Sequence, residues 1–151
     1  MEQITIQSDI CDISKVEDFI CNVCDENNVH NYFATIDLAV LHAVENSVIH
    51  GNKKDKNKHV TVCCDNCRGG LCFVVQDEGD GFDYQKYGGM PMGDDCGVGI
   101  FMMNRLSDHV EYSDEGRCVR LKFIVKGVDK ILAADRVAHL KDFFNNVKVG
   151  V

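Results

Sequence analysis

Three short stretches of this 151-residue chain carry residue types suited to holding a charged ligand. In Asp77-Glu78-Gly79-Asp80-Gly81-Phe82, at the end of an apolar run, a carboxylate can accept a hydrogen bond from an amine in a pocket, and the glycines let backbone approach a ligand closely. The same DxGxG pattern also describes calcium loops and plain turns. Gly97-Val98-Gly99 opens a helical run after a glycine-rich loop, which offers free N–H groups at the positive end of a helix dipole to phosphate. Asn46 falls on the polar side of a long helical run, where its amide oxygen can ligate Mg2+ or simply be solvated. One turn earlier comes His42, whose imidazole can take a proton near neutral pH from the same side of the helix; a plain helix-surface histidine is the ordinary alternative. Cys64-Asp65-Asn66-Cys67, with Cys63 and Cys72 nearby, raises zinc or redox chemistry, but no second CxxC or histidine pair stands at a suitable spacing. Phe101-Met102-Met103 is expected to be core.

The elements that must hold these residues follow from hydrophobic period. Residues 2–7 suit a short edge strand, and Ile13, Val16, Phe19, Ile20, Val23 and Cys24 recur at helical spacing behind a capping box, Ser14-x-x-Glu17. A second helix is expected from about Tyr32 to His50, with Ile36, Val40, Ala43, Val44 and Ser47 on one side, and Gly51 as its terminator. After the polar loop Asn52 to Lys58, two strands, His59 to Cys64 and Leu71 to Asp77, form a hairpin around Arg68-Gly69-Gly70. Residues 78–96 hold five glycines and the only proline and are expected to be a long loop, of which Asp83 to Cys96 acts as a lid. A helix over Gly97 to Leu106, a hairpin of Val110 to Ser113 with Arg117 to Val125, and a final helix marked by Ile131, Ala134, Val137, Leu140 and Phe144 complete the chain. This order predicts an α+β fold, a two-layer α/β sandwich with a mixed sheet covered by helices on one face. We expect one domain over 1–151, ending in a helical extension at about 129–146.

Composition narrows the function class. At 45% hydrophobic and 26% charged residues the chain suits an ordinary globular domain, and no apolar run reaches the ~18 residues of a membrane span. The amino terminus lacks a basic start followed by a long apolar stretch, so a cytoplasmic protein with reduced thiols is expected despite nine cysteines. A net charge of -8 argues against nucleic acid as a partner. It leaves room for a nucleotide, because backbone N–H groups and a metal ion can carry phosphates without a basic surface.

The order of the motifs, Asn46 on a helix, DxGxG after a strand, a loop, then GxG at a helix start, resembles the GHKL (histidine kinase/HSP90-like) ATPase superfamily, and within it the bacterial anti-sigma-factor serine/threonine kinases. Residues 36–51, IDLAVLHAVENSVIHG, look like the N box of that family, Asp77 to Phe82 like its G1 box, and Gly97 to Val110 like G2 with the following helix. The match spans about residues 10–125. The resemblance implies ATP and Mg2+ as cofactors, with Asn46 holding Mg2+, Asp77 reading the adenine amine, Gly79 and Gly81 shaping the base pocket, and Gly97 and Gly99 meeting the phosphates. It also implies a protein partner, a sigma factor or an anti-sigma-factor antagonist-like protein, and a homodimer. The chain departs from the family where His42 replaces the glutamate that serves as base, where the lid ends Gly93-Asp94-Asp95-Cys96 in place of an arginine, and where Gly116-Arg117-Cys118 replaces Gly-Thr-Thr. Phosphorylation of a partner serine is thus one expectation, and a nucleotide-dependent binding module without catalysis the other. The ATPase domain of a two-component histidine kinase ranks behind both, since a dimerisation helix would have to precede it and about ten residues do.

Overall fold

The β-branched and apolar runs along His59–Cys67 (β2) and Gly70–Gln76 (β3) close into a hairpin, because Gly69 accepts the φ of 81° that so short a turn requires. The computed structural model describes residues 1–87, 95–125 and 138–143. β2 and β3 are joined in one sheet by Glu2–Gln7 (β1), His109–Ser113 (β4) and Cys118–Ile124 (β5), in the order β1-β2-β3-β5-β4. All four pairings are antiparallel, so among the described strands the sheet is not mixed as expected. Two helices between β1 and β2 return the chain to the end it left, opposing Gln7 to His59. The crossover from β3 to β4 does set those two strands parallel, but β5 lies between them and takes the hydrogen bonds of both.

The inward side chains of the sheet, among them Val62, Phe73, Val75, Leu121 and Phe123, are buried against a helical layer of Ile13–Glu26 (α1), Phe33–Asn46 (α2) and Asp95–Leu106 (α3). α1 contributes Val16, Ile20, Val23 and Cys24, and α2 contributes Ile36, Ala39, Val40, Ala43 and Val44, at the i, i+3, i+4, i+7 spacing of one helix face. Phe73 and Phe123 meet edge to face with ring centroids 6.0 Å apart. The far side of the sheet carries Gln3, Thr5 and Arg120 in solvent. The fold is the expected two-layer α+β sandwich.

Several local expectations change. β2 runs to Cys67, so the three-residue separation of Cys64 and Cys67 puts them on opposite faces of a strand; Cys64 is buried in the core and the CxxC is no ligand pair. No capping box forms at α1: a 3-10 turn, Ile10–Asp12, precedes the helix and is capped by Asp9, while the Ser14 hydroxyl donates back to the Cys11 carbonyl. α2 ends at Asn46, four residues before His50, and continues as a π-turn, Ser47–Gly51. The expected long loop contains a 3-10 turn, Tyr84–Tyr87, and α3 begins at Asp95, two residues before Gly97. Of the C-terminal extension, residues 138–143 are helical and exposed, and the remainder lies outside the described residues, as do residues 88–94 of the expected lid. Among the described residues, no helix is long and apolar enough to cross a membrane.

Candidate functional site

The end of α2 approaches the end of β3 because the chain widens there. In the π-turn the Asn52 N–H donates to the Ser47 carbonyl at 2.7 Å, an i→i+5 closure of the kind that often marks functional positions. It presents Ser47 and Gly51 to the Asp77 carboxylate, and a Cβ on Gly51 would lie 2.5 Å from Asp77 Oδ2, so no larger residue fits. Gly79 is equally confined, since its Cβ would collide with the Gly51 carbonyl. Buried Asn52 locks the arrangement: its Oδ1 accepts from the Glu78 N–H at 2.8 Å, while its Nδ2 donates to Ser8 Oγ at 2.8 Å and to the His59 carbonyl at 2.9 Å.

From the other side the same loop is held by the turn between β4 and β5. The Asp77 N–H donates to the Arg117 carbonyl at 2.9 Å and the Phe82 N–H to the Glu115 carbonyl at 3.0 Å. Asp114, Glu115 and Gly116 follow one another with φ of 51°, 57° and 92°, a left-handed path that costs two non-glycine residues of order 1 kcal/mol each and persists where surrounding contacts over-determine it. The hydrogen bonds to Asp77 and Phe82 are those contacts.

Asp77 is only 7% exposed, and burial raises its carboxyl above the usual value, against the opposing pull of the Gly79 N–H on Oδ1 at 2.9 Å, the Ser47 hydroxyl and the Arg117 cation. A buried acceptor with unused lone pairs is suited to an amine of a ligand. It stands on the wall of a cavity of about 330 Å³, whose apolar lining includes Ala43, Phe82, Met103, Tyr112 and Val119. That volume lies at the small end of the range for ligand sites. The aromatic wall is itself braced: Tyr112 meets Phe82 edge to face at 5.7 Å and stacks on Tyr84 at 4.7 Å.

Asn46, the last residue of α2, lines the same cavity. Its Nδ2 is buried and has no hydrogen-bond partner among the described residues, a state that costs about 1–3 kcal/mol and marks a group placed to contact something else. α3 comes up against it at Gly99, where a Cβ would lie 3.0 Å from Nδ2 and 3.1 Å from Oδ1. Gly97 falls in the first turn of α3, whose amides have no acceptor within the helix.

The expected site residues thus divide. Asn46, Asp77 and Gly81 line one cavity, and Gly79 and Gly99 pack directly on Asp77 and Asn46. His42 is not in that wall; its Nδ1 stands 3.9 Å from Glu45 Oε2 on the same helix. Gly51 and His50 belong to the wall without having been given a site role, and so does Arg117, which stands where the resemblance puts the Gly-Thr-Thr of the last hairpin. Gly51 has a signal in the sequence, since it follows Asn46 by five residues, but an α-helical count turns it away from the site where the π-turn brings it in.

The pattern of elements and the position of the cavity agree with a comparison to known families: the model of the histidine kinase-like ATPase domain matches residues 6–123. No curated protein matches the chain. Because that match runs from β1 to β5 and takes in Asn46, Asp77 and α3 together, the chain belongs to the histidine kinase-like ATPase domain family.

Proposed function

We propose that the chain is an ATP-binding regulatory protein of the anti-sigma-factor serine/threonine kinase type, which phosphorylates or sequesters a protein partner. The observation that supports nucleotide binding best is the placement of a buried carboxylate acceptor, Asp77, and an unsatisfied amide donor, Asn46 Nδ2, which suits a phosphate oxygen, on the wall of one cavity with apolar sides. In this reading Asp77 accepts from the base amine, Gly79 and Gly81 leave the base room, Asn46 holds Mg2+ through its amide oxygen, and the first-turn amides of α3 at Gly97 meet phosphate. Gly99 lets α3 close on Asn46. ATP with Mg2+ would supply the phosphoryl group and neutralise its charge, and the protein would contribute alignment.

The pairing of His42 with Glu45, outside the cavity wall, favours the sequestering branch over the phosphorylating one, because a base must reach the acceptor hydroxyl within hydrogen-bond distance. The partner of this reading is a sigma factor or an antagonist-like protein in the cytoplasm, met by a homodimer; the charge of -8 disfavours nucleic acid. Calorimetry with Mg-ATP and Mg-GTP on the parent and on Asp77→Asn tests the nucleotide half. Binding of ATP to the parent only, with GTP weaker, is expected; equal ATP affinity in both proteins refutes it. A phosphotransfer assay with a candidate partner encoded alongside the chain separates the two branches.

A further inference from the structure

Arg117 places a cation in the wall of the cavity that holds Asp77, and its position there is set by backbone. Its carbonyl accepts from the Asp77 N–H at 2.9 Å and its own N–H donates to the Asp114 carbonyl at 3.0 Å, so the two residues cannot drift apart. The guanidinium is less committed. It makes three hydrogen bonds, from Nη1 to the Asp114 carbonyl at 3.3 Å and to Glu115 Oε2 at 3.1 Å, and from Nη2 to the same Oε2 at 3.3 Å. A guanidinium has five donors, so two remain. Glu115 is 79% exposed, and a pair with so solvated a carboxylate is weak and readily exchanged. Gly81 gives the guanidinium its space, since a Cβ there would lie 3.3 Å from Nη1.

We propose that Arg117 is a specificity-determining residue that reads the base together with Asp77: the carboxylate accepts from the exocyclic amine, and the guanidinium donates to the ring nitrogen beside it. The inference rests on the nucleotide reading above. An acceptor and a donor side by side match the Watson–Crick edge of adenine, which offers an N–H donor at the amine and a bare nitrogen at N1. The same edge of guanine has the reverse polarity, a carbonyl opposite the carboxylate and an N–H opposite the guanidinium, so both contacts would be lost at once. The cation also works against the burial that raises the Asp77 carboxyl and so helps keep it in the ionised form that accepts.

The test uses ATP and 1-deaza-ATP, in which N1 is replaced by C–H, each titrated with Mg2+ into the parent, Arg117→Met and Arg117→Lys, with thermal denaturation of each protein as a check on folding. The parent should bind 1-deaza-ATP about tenfold more weakly than ATP, the worth of one hydrogen bond from a charged donor. Arg117→Met should lose that discrimination and narrow the preference for ATP over GTP, and Arg117→Lys should keep part of it. A parent that binds both analogues equally overturns the proposal, and that measurement needs no variant. So does an Arg117→Met that still discriminates N1 as the parent does. If the parent binds no ATP at all, the nucleotide reading itself falls, which is a different result from ATP bound without regard to N1.

Discussion

Replacing Gly99 with alanine sets helix propensity against site geometry. Gly99 lies inside α3, where glycine is about 1 kcal/mol less favourable than alanine, so the substitution by itself should stabilise the helix. The added methyl carbon would stand 3.0 Å from Asn46 Nδ2, 3.1 Å from Oδ1 and 3.4 Å from Cγ. Carbon contacts are most favourable near 3.5–4.0 Å, so the amide must move by about 0.5 Å or the two helices must part. Overpacking of that kind costs about 1–3 kcal/mol when nothing yields. The terminal amide of Asn46 yields most easily, because its Nδ2 has no hydrogen-bond partner to lose among the described residues. Gain and cost should then nearly cancel, leaving stability within about 1 kcal/mol of the parent and the melting temperature within about 4 °C. Mg-ATP affinity should fall at least about tenfold, since a ligand contact displaced by half an ångström loses most of its geometry. Thermal denaturation and calorimetry on the same preparation read both quantities. Unchanged affinity in a stable variant would refute Asn46 as a ligand contact, and a melting temperature lowered by 10 °C or more would show that the helices, not the amide, take the strain.

Three further outcomes are expected. Asp77→Asn should fold, since its carbonyl can still accept from the Gly79 N–H, yet lose about a hundredfold or more in ATP affinity, because an amide NH2 would face the base amine; affinity of the parent should rise with pH through the raised value of Asp77, and a flat profile over the carboxylate range would count against the contact. On α2, burial first and then the Glu17 charge push the Asp37 carboxyl up to about 6 from 3.8, and its Oδ1 is buried without a partner among the described residues. The folded state therefore holds this proton more tightly than the unfolded chain, so parent stability should fall from about pH 4 to about pH 6, and Asp37→Asn should remove that slope and stabilise by about 1 kcal/mol above it, after allowance for solvent screening; parallel denaturant midpoints at pH 4, 5, 6 and 7 in the two proteins would show the assignment to be wrong. Because His42 lies outside the cavity wall, neither His42→Glu nor His42→Ala should change ATP turnover, and both should leave nucleotide affinity within about twofold; efficient transfer by the parent that His42→Ala stops, or turnover raised by His42→Glu, would show that position 42 reaches the reacting groups.

What the sequence shows of this fold is what local period and turn chemistry control. The β2–β3 hairpin is legible because two runs rich in β-branched and apolar residues flank Arg68-Gly69-Gly70, and α1 because its apolar residues keep to one face. The all-antiparallel sheet is not legible, since the insertion of β5 between β3 and β4 is a tertiary event that no period records. The same boundary divides the site. Asp77 and Asn46 are legible through the order and spacing of the motifs, an amide on a helix, then DxGxG after a strand, then GxG at a helix start, since each pattern alone also suits a turn or a solvated helix face. Arg117 is marked in the sequence only as a departure from Gly-Thr-Thr, because its place in the cavity wall depends on the left-handed path of the three residues before it. His42 is one helical turn from Asn46, yet the last turn of α2 lines the cavity with Ala43, and His42 is not in that wall.

The two ends of the cavity are consequently held by different forces, which gives them different roles. Around Asp77 the walls are held by hydrogen bonds from backbone N–H groups: Glu78 to the Asn52 side-chain oxygen, Asp77 to the Arg117 carbonyl and Phe82 to the Glu115 carbonyl. Such bonds are directional and break all at once when geometry is lost, so this end is fixed before a ligand arrives and suits recognition of a rigid, planar base. Around Asn46 the wall is a helix contact, α2 against α3 at Gly99, with an unsatisfied amide in the interface. Packing without hydrogen bonds tolerates small sliding, and an amide lacking a partner favours whichever arrangement supplies one. A ligand acceptor that meets Asn46 Nδ2 would therefore be satisfied at this end without disturbing the base pocket.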